Sequence, residues 1–239
     1  WGLTATVDSD GDGLIDANDP DPTVSNNLMG EGSNLVAYYS FDGNSNDSSG
    51  NGLNGSKIGA ILTLDRNGGP NKAYDFDGND YIEISDDPKL TSTDQLSIVA
   101  WFKKSSSSNL FTIIQKGTGD SNEEYVLSVQ NSRIYFDIGN TGGPYIQPSY
   151  SVNSDVWYHI AAVHNRSGGN SSLKIYINGQ NIGGTVVNSG YHPMDNNESV
   201  TIGKRKGHPS QSFIGQIDEV RIYNRALSDE DITTLYNSY

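Results

Sequence analysis

The chain has 239 residues, no cysteine, 27 glycines, 14 tyrosines and a formal net charge of -14. This composition excludes a disulfide-stapled scaffold, argues against nucleic acid as a partner because phosphates demand Lys and Arg, and suits a turn-rich all-β protein. No window approaches the ~20 apolar residues of a membrane span, and no signal peptide is visible, so no membrane insertion is expected.

The acid is concentrated at the start, where residues 1–33 carry half of the net charge and no Lys or Arg. Within it, "DSDGDGLIDANDPDP" opens at Asp8. Counted from Asp8, carboxylates fall at the third (Asp10), fifth (Asp12), ninth (Asp16) and twelfth (Asp19) positions. Gly13 is sixth, and Leu14, seventh, offers a backbone carbonyl. This is the oxygen spacing of an EF-hand-type calcium loop. The flanking helices of an EF-hand are excluded by Pro20 and Pro22, which follow at once. The stretch resembles a thrombospondin type 3 repeat, and the resemblance implies a calcium-stiffened spacer over residues 1–33 that sets one domain apart from another. The competing reading is a solvated acidic linker.

Beyond the polar stretch, short apolar or alternating runs are divided by Gly, Asn, Asp and Ser. They predict strands over 35–41, 60–64, 73–76, 81–84, 96–103, 110–115, 125–130, 133–138, 156–164, 173–177, 200–203 and 213–223. "INGQ" at Ile177–Gln180 reads as a hairpin through an Asn-Gly turn. Ser228 and Asp231 can form a capping box, predicting a turn or two of helix ahead of Ile232 and Leu235. So many short strands predict a two-sheet antiparallel sandwich over residues 34–239.

"LVAYYSFDGNSNDSSGNGLNG", "AYDFDGNDYIEI", "LSIVAWFKKS", "VWYHIAAVHN", "LKIYINGQ" and "FIGQIDEVRIYNRALSDEDI" occur in the order of the concanavalin A-like laminin G family, which the chain resembles from residue 34 onward. The resemblance implies a jelly roll used in secreted modular proteins for carbohydrate binding or adhesion. It also implies packed positions for Trp101 and Trp157. Function follows less directly, because one sandwich carries many functions.

Catalytic patterns are missing. No E-x-D-x-x-E run is present to supply the paired carboxylates of a glycoside hydrolase. Glu123-Glu124 and Asp218-Glu219 are adjacent, so on regular strands their side chains point to opposite faces. The four histidines, His159, His164, His192 and His208, show no metal-protease spacing, and there is no thiol nucleophile. The chain is therefore expected not to be an enzyme.

Candidate binding residues remain. The loop "FDGNSND" groups Asp42, Asn44 and Asp47, and the family resemblance brings this loop near the returning strand with Asp218, implying a second calcium ion held by these four. The same residues also serve as ordinary turn formers. Loop tyrosines Tyr145, Tyr150 and Tyr191 are candidates for stacking on sugar. "GKRKGHPSQS" gathers Lys204, Arg205, Lys206 and His208, the one cationic cluster in an acidic domain, with His192 beside Tyr191 as a further contributor. Such a cluster is either a solvated loop or a grip for sulfate or carboxylate.

The combined expectation is a monomeric, calcium-stabilised carbohydrate-binding module, separated by its spacer from an upstream catalytic domain of a secreted bacterial enzyme that degrades polysaccharide. An anionic, algal-type polysaccharide is the favoured ligand. An adhesion module for a protein partner and a divergent glycanase or lyase stand as alternatives.

Overall fold

The structure, a computed structural model, describes residues 34–91, 94–105, 110–119, 122–139, 142–166, 169–188 and 195–239. The acidic motif from Asp8 to Asp19 and the pair Tyr191 and His192 lie outside the described residues.

Two antiparallel sheets form the expected sandwich. The first contains β1 (Leu35–Tyr39), β3 (Ile61–Thr63), β4 (Ala73–Asp77), β6 (Gln95–Lys104), β11 (Tyr158–Asn165), β12 (Ser172–Ile177), β13 (Gln180–Asn181) and β16 (Ile214–Tyr223). Its order is β13-β12-β11-β6-β16-β4-β3, with β1 also paired to β16. The second contains β2 (Ser56–Ile58), β5 (Tyr81–Ile84), β7 (Leu110–Gly117), β8 (Glu123–Gln130), β9 (Arg133–Ile138), β10 (Tyr145–Ile146), β14 (Val186–Val187) and β15 (Val200–Ile202). Its order is β14-β10-β9-β8-β7-β15-β5-β2.

Alternation decides which face each strand buries. On β6, Ile98, Ala100 and Phe102 enter the inter-sheet core, together with Leu127 and Val129 from β8 and Ile134, Phe136 and Ile138 from β9. Phe213 joins the layers, its ring meeting those of Phe76, Phe102 and Phe111 at 6.2, 6.5 and 5.8 Å in edge-to-face packing. Val99 points the other way, into a smaller cluster with Ala161, Val163, Tyr176 and Tyr223. That outer cluster is sealed by Ile232 and Leu235 of α1 (Asp229–Asn237), which begins at the Ser228–Asp231 capping box.

The Asn-Gly hairpin joins β12 to β13, with Asn178 and Gly179 at φ 50° and 76°. Both values are positive, as a type I′ turn requires. The tryptophans divide. Trp101 is buried beneath α1, between Tyr236 and His159, on the outer side of the first sheet. Trp157 corrects the expectation: it precedes β11, is half-buried, and has the ammonium of Lys103 over its ring at 5.4 Å, while Tyr158 takes the core position.

Candidate functional site

Most of the sequence-predicted ligand residues converge on the outer face of the second sheet. Along one line of its register, Tyr145, Asp137, Val126, Gln115, Thr201 and Glu83 stand side by side on successive strands. Their strand neighbours Leu127, Phe136, Ile138, Ile114 and Ile202 fill the core, so alternation turns this row outward.

A bulge adds an acid to the row. Lys116 faces Tyr125, but Gly117 faces Glu123, leaving Glu124 as the extra residue of β8. Bulges re-aim side chains. Glu124 pairs with fully buried Lys116 at 3.0 Å, whereas Glu123 accepts from the Gln115 amide at 2.7 Å on the outer face.

The basic loop then folds back across the sheet. Gly203, at φ 87°, makes the turn after β15; a Cβ there would lie 2.5 Å from the Phe76 ring. The Thr201 hydroxyl donates to the Lys204 carbonyl at 2.7 Å, and the Lys206 N–H donates to Gln115 Oε1 at 2.8 Å. Arg205 is 8% exposed. Its Nε and Nη2 grip the two Glu123 oxygens at 3.0 and 3.1 Å, and Nη1 donates to Gln211 at 2.7 Å. Lys206 Nζ is held by Glu83 and Ser199. The Lys204 ammonium sits 4.0 Å from the Tyr81 ring centroid. His208, half-buried, donates its backbone N–H to the Arg205 carbonyl at 3.1 Å. Within the cluster, β5 and β8 supply carboxylates that neutralise Lys206 and Arg205, while Lys204 lies over the Tyr81 ring.

Beside this network, the Tyr135 hydroxyl donates to Asp137 Oδ2 at 2.9 Å, and the Tyr135 and Tyr145 rings lie 5.5 Å apart at 30°. Both rings are part-exposed. Burial, with a lesser push from the Glu123 carboxylate, raises Asp137 to about 7 against the pull of Tyr135 and Arg205. Its Oδ1 has no hydrogen-bond partner. Tyr150 is exposed in the loop after β10 and makes none of these contacts among the described residues.

The residues named for an internal calcium are engaged separately. Asp42 pairs with Lys72 at 3.2 Å on the surface. The Asn44 amide donates to the Asp42 carbonyl and its oxygen accepts from the Asn46 N–H. Asp47 accepts from the Tyr38, Ser49 and Leu53 N–H groups at 3.0, 2.9 and 3.0 Å, so it organises the loop. Asp218 is buried against Arg66 at 2.8 Å. Among the described residues no group of three or more His, Cys, Asp or Glu side chains gathers to hold a metal ion.

Asp218 and Glu219 depart from regular alternation. The register breaks between Asp218 and Arg221, and Glu219 takes φ 54°. Glu219 accepts from the Tyr38 and Tyr239 hydroxyls at 2.8 Å each, and burial raises Asp218 to about 8 despite Arg66. Asp218 is thus engaged by Arg66, and Glu219 by Tyr38 and Tyr239.

The pairing of Tyr135 and Tyr145, and the Glu123–Arg205 fork, were not read from sequence. The alternation of "RIYFDI" at Arg133–Ile138, with Tyr135 and Asp137 opposite three core residues, carried part of that signal.

Comparison with known proteins agrees with this architecture. The family described as the concanavalin A-like lectin/glucanases superfamily matches residues 76–233. Paraclostridial mosquitocidal protein 1 of Paraclostridium bifermentans is 31% identical over 88 residues, 37% of this chain and 7% of that protein. The crystal structure of its binding domain superposes with TM-score 0.68 at 20% identity, covering 87% of this chain and 52% of that one. Domain 4 of the extracellular arabinanase AbnA from Geobacillus stearothermophilus, solved in complex with arabinotriose, gives TM-score 0.62 at 25% identity, covering 84% of this chain and 98% of that one. The botulinum neurotoxin serotype D ligand binding domain, solved with N-acetylneuraminic acid, gives TM-score 0.64 at 18% identity and is covered over 52% of its length. By its family match and its two antiparallel sheets, the chain belongs to the concanavalin A-like lectin/glucanase superfamily.

Proposed function

We propose that this chain is a non-catalytic carbohydrate-binding module of a secreted bacterial enzyme that degrades polysaccharide, and that it takes sugar on the outer face of the second sheet. The observation that carries this reading is the pair of part-exposed rings, Tyr135 and Tyr145, fixed beside Asp137 and the Arg205–Glu123 fork. Aromatic rings present apolar faces to sugar C–H groups, while rigid polar neighbours fix orientation. Neutralisation of Arg205 and Lys206 supports a neutral saccharide on this face rather than a polyanion. The arabinotriose complex of the arabinanase domain is in line with that choice. A glycan array probed with the full chain tests the reading: binding to neutral oligosaccharides that Tyr145→Ala weakens is expected, and a blank array contradicts it.

The same reading includes a calcium-bound spacer at residues 8–21, supported by the complete ligand spacing with Gly13. Calorimetric titration of the full chain with calcium should show one site fewer in Asp12→Ala than in wild type. Equal stoichiometry would remove the spacer from the account.

A further inference from the structure

At one side of the sandwich the terminal strands of both sheets come from a single stretch of chain: β2 ends the second sheet and β3 the first. An open groove of about 390 Å³ runs there, between the loop after β1 and β3. Its apolar wall is Ile61, Leu62 and Tyr74, and its polar wall includes Ser45, Asn46 and Lys57. Ile61 is 68% exposed. With Ile58 and Leu64, it concentrates exposed large aliphatics in seven residues of chain. Exposed apolar surface rimmed by polar groups marks an interaction site.

The charge on this groove is the reverse of the chain's. Lys57 is exposed and makes no ion pair among the described residues, and its charge acts on Asp80. No carboxylate lines the groove. The cations of the 204–206 loop are spent on Glu83, Glu123 and the Tyr81 ring, so Lys57 is the groove's unspent positive charge.

We infer that this groove is a second binding site, for a short saccharide carrying a uronate group. The carboxylate meets Lys57 in a charge-assisted hydrogen bond. The C–H face of the ring lies on Ile61, and ring hydroxyls reach the Asn46 side-chain amide. The net charge of -14 repels a long polyanion, so the site takes a short oligomer or the end of a chain. This site goes beyond the sheet-face reading and shares no residue with it.

The test is an NMR titration of the full chain with trigalacturonate at millimolar concentration. Shifts of the Gly43–Asn46, Lys57 and Leu62 resonances are expected in wild type and equally in Tyr145→Ala, which separates this site from the sheet face. Lys57→Ala should weaken the interaction by about tenfold or more, the size of one charge-assisted bond, and Ile61→Ser should also weaken it. The fully methyl-esterified trimer should shift these resonances as little as it does in Lys57→Ala. Equal shifts from the ester, equal shifts from a capped triglutamate peptide, or no shift at these residues would each overturn the assignment.

Discussion

Arg205→Ala is expected to lower the unfolding free energy by about 3–5 kcal/mol, the usual loss when one partner of a buried ion pair is removed. The side chains of Arg205 and Glu123 are 9% and 2% exposed, and the guanidinium donates to both carboxylate oxygens. Without it, Glu123, which accepts from the Gln115 amide, stays buried and has lost its guanidinium partner. Gln211 and the 203–213 loop also lose their anchor on β8. Urea unfolding at neutral pH measures the loss. Adding Glu123→Gln to the Arg205→Ala background should return much of the stability, since it removes the stranded charge and keeps a hydrogen-bonding side chain. Lys204→Ala, which loses only a cation over the Tyr81 ring, should cost no more than about 1 kcal/mol. A loss in Arg205→Ala no larger than in Lys204→Ala would mean that the cationic loop is solvated.

Stability should fall as pH rises from about 6.5 to about 8. Asp137 and Asp218 hold protons in the folded chain up to about 7 and about 8, chiefly because burial disfavours their charge, whereas the unfolded reference is 3.8. A raised carboxyl gives stability that is fully present below its unfolded value and lost as pH rises through its folded value. Two histidines act with the opposite sign: burial lowers His159 to about 3 and His164 to about 4, so their contribution is complete above 6.5 and lost on acidification. Between about 4 and 6.5 the two sets oppose each other, and above 6.5 only the carboxyls titrate. One proton corresponds to at most ~1.4 kcal/mol per pH unit. Thermal melts across this range should show a decline that Asp137→Asn makes shallower on its lower-pH side. A stability that stays level from about pH 6.5 to about 8 would mean that both carboxyls are ionised throughout and would contradict this expectation.

The sandwich was legible because most strands announce themselves by alternation: "YIEI" at Tyr81–Ile84 and "RIYFDI" at Arg133–Ile138 fall on β5 and β9 without a shift of boundary. The strands that escaped reading, β2, β10, β13 and β14, have two or three residues each, too few for a period to show. Asn178-Gly179 was readable because turn chemistry is local. The fate of Arg205 was not, since its partner Glu123 lies 82 residues away and is turned outward by a one-residue bulge. Trp157 shows the same limit: an aromatic in an apolar run looks like core until the strand's start is placed two residues later, at Tyr158.

The most direct test of the account is the affinity of the full chain for a neutral trisaccharide such as arabinotriose, in Tyr145→Ala and Tyr150→Ala side by side. The two tyrosines lie close in the chain, on β10 and in the loop after it, but only Tyr145 sets its ring beside that of Tyr135, in the row that holds Asp137. The account predicts that Tyr145→Ala weakens binding at least about tenfold, the loss of about 1.4 kcal/mol of ring contact, while Tyr150→Ala binds as wild type does. Loss of binding in Tyr150→Ala with Tyr145→Ala unaffected would contradict it and move the sugar site off the face of the second sheet.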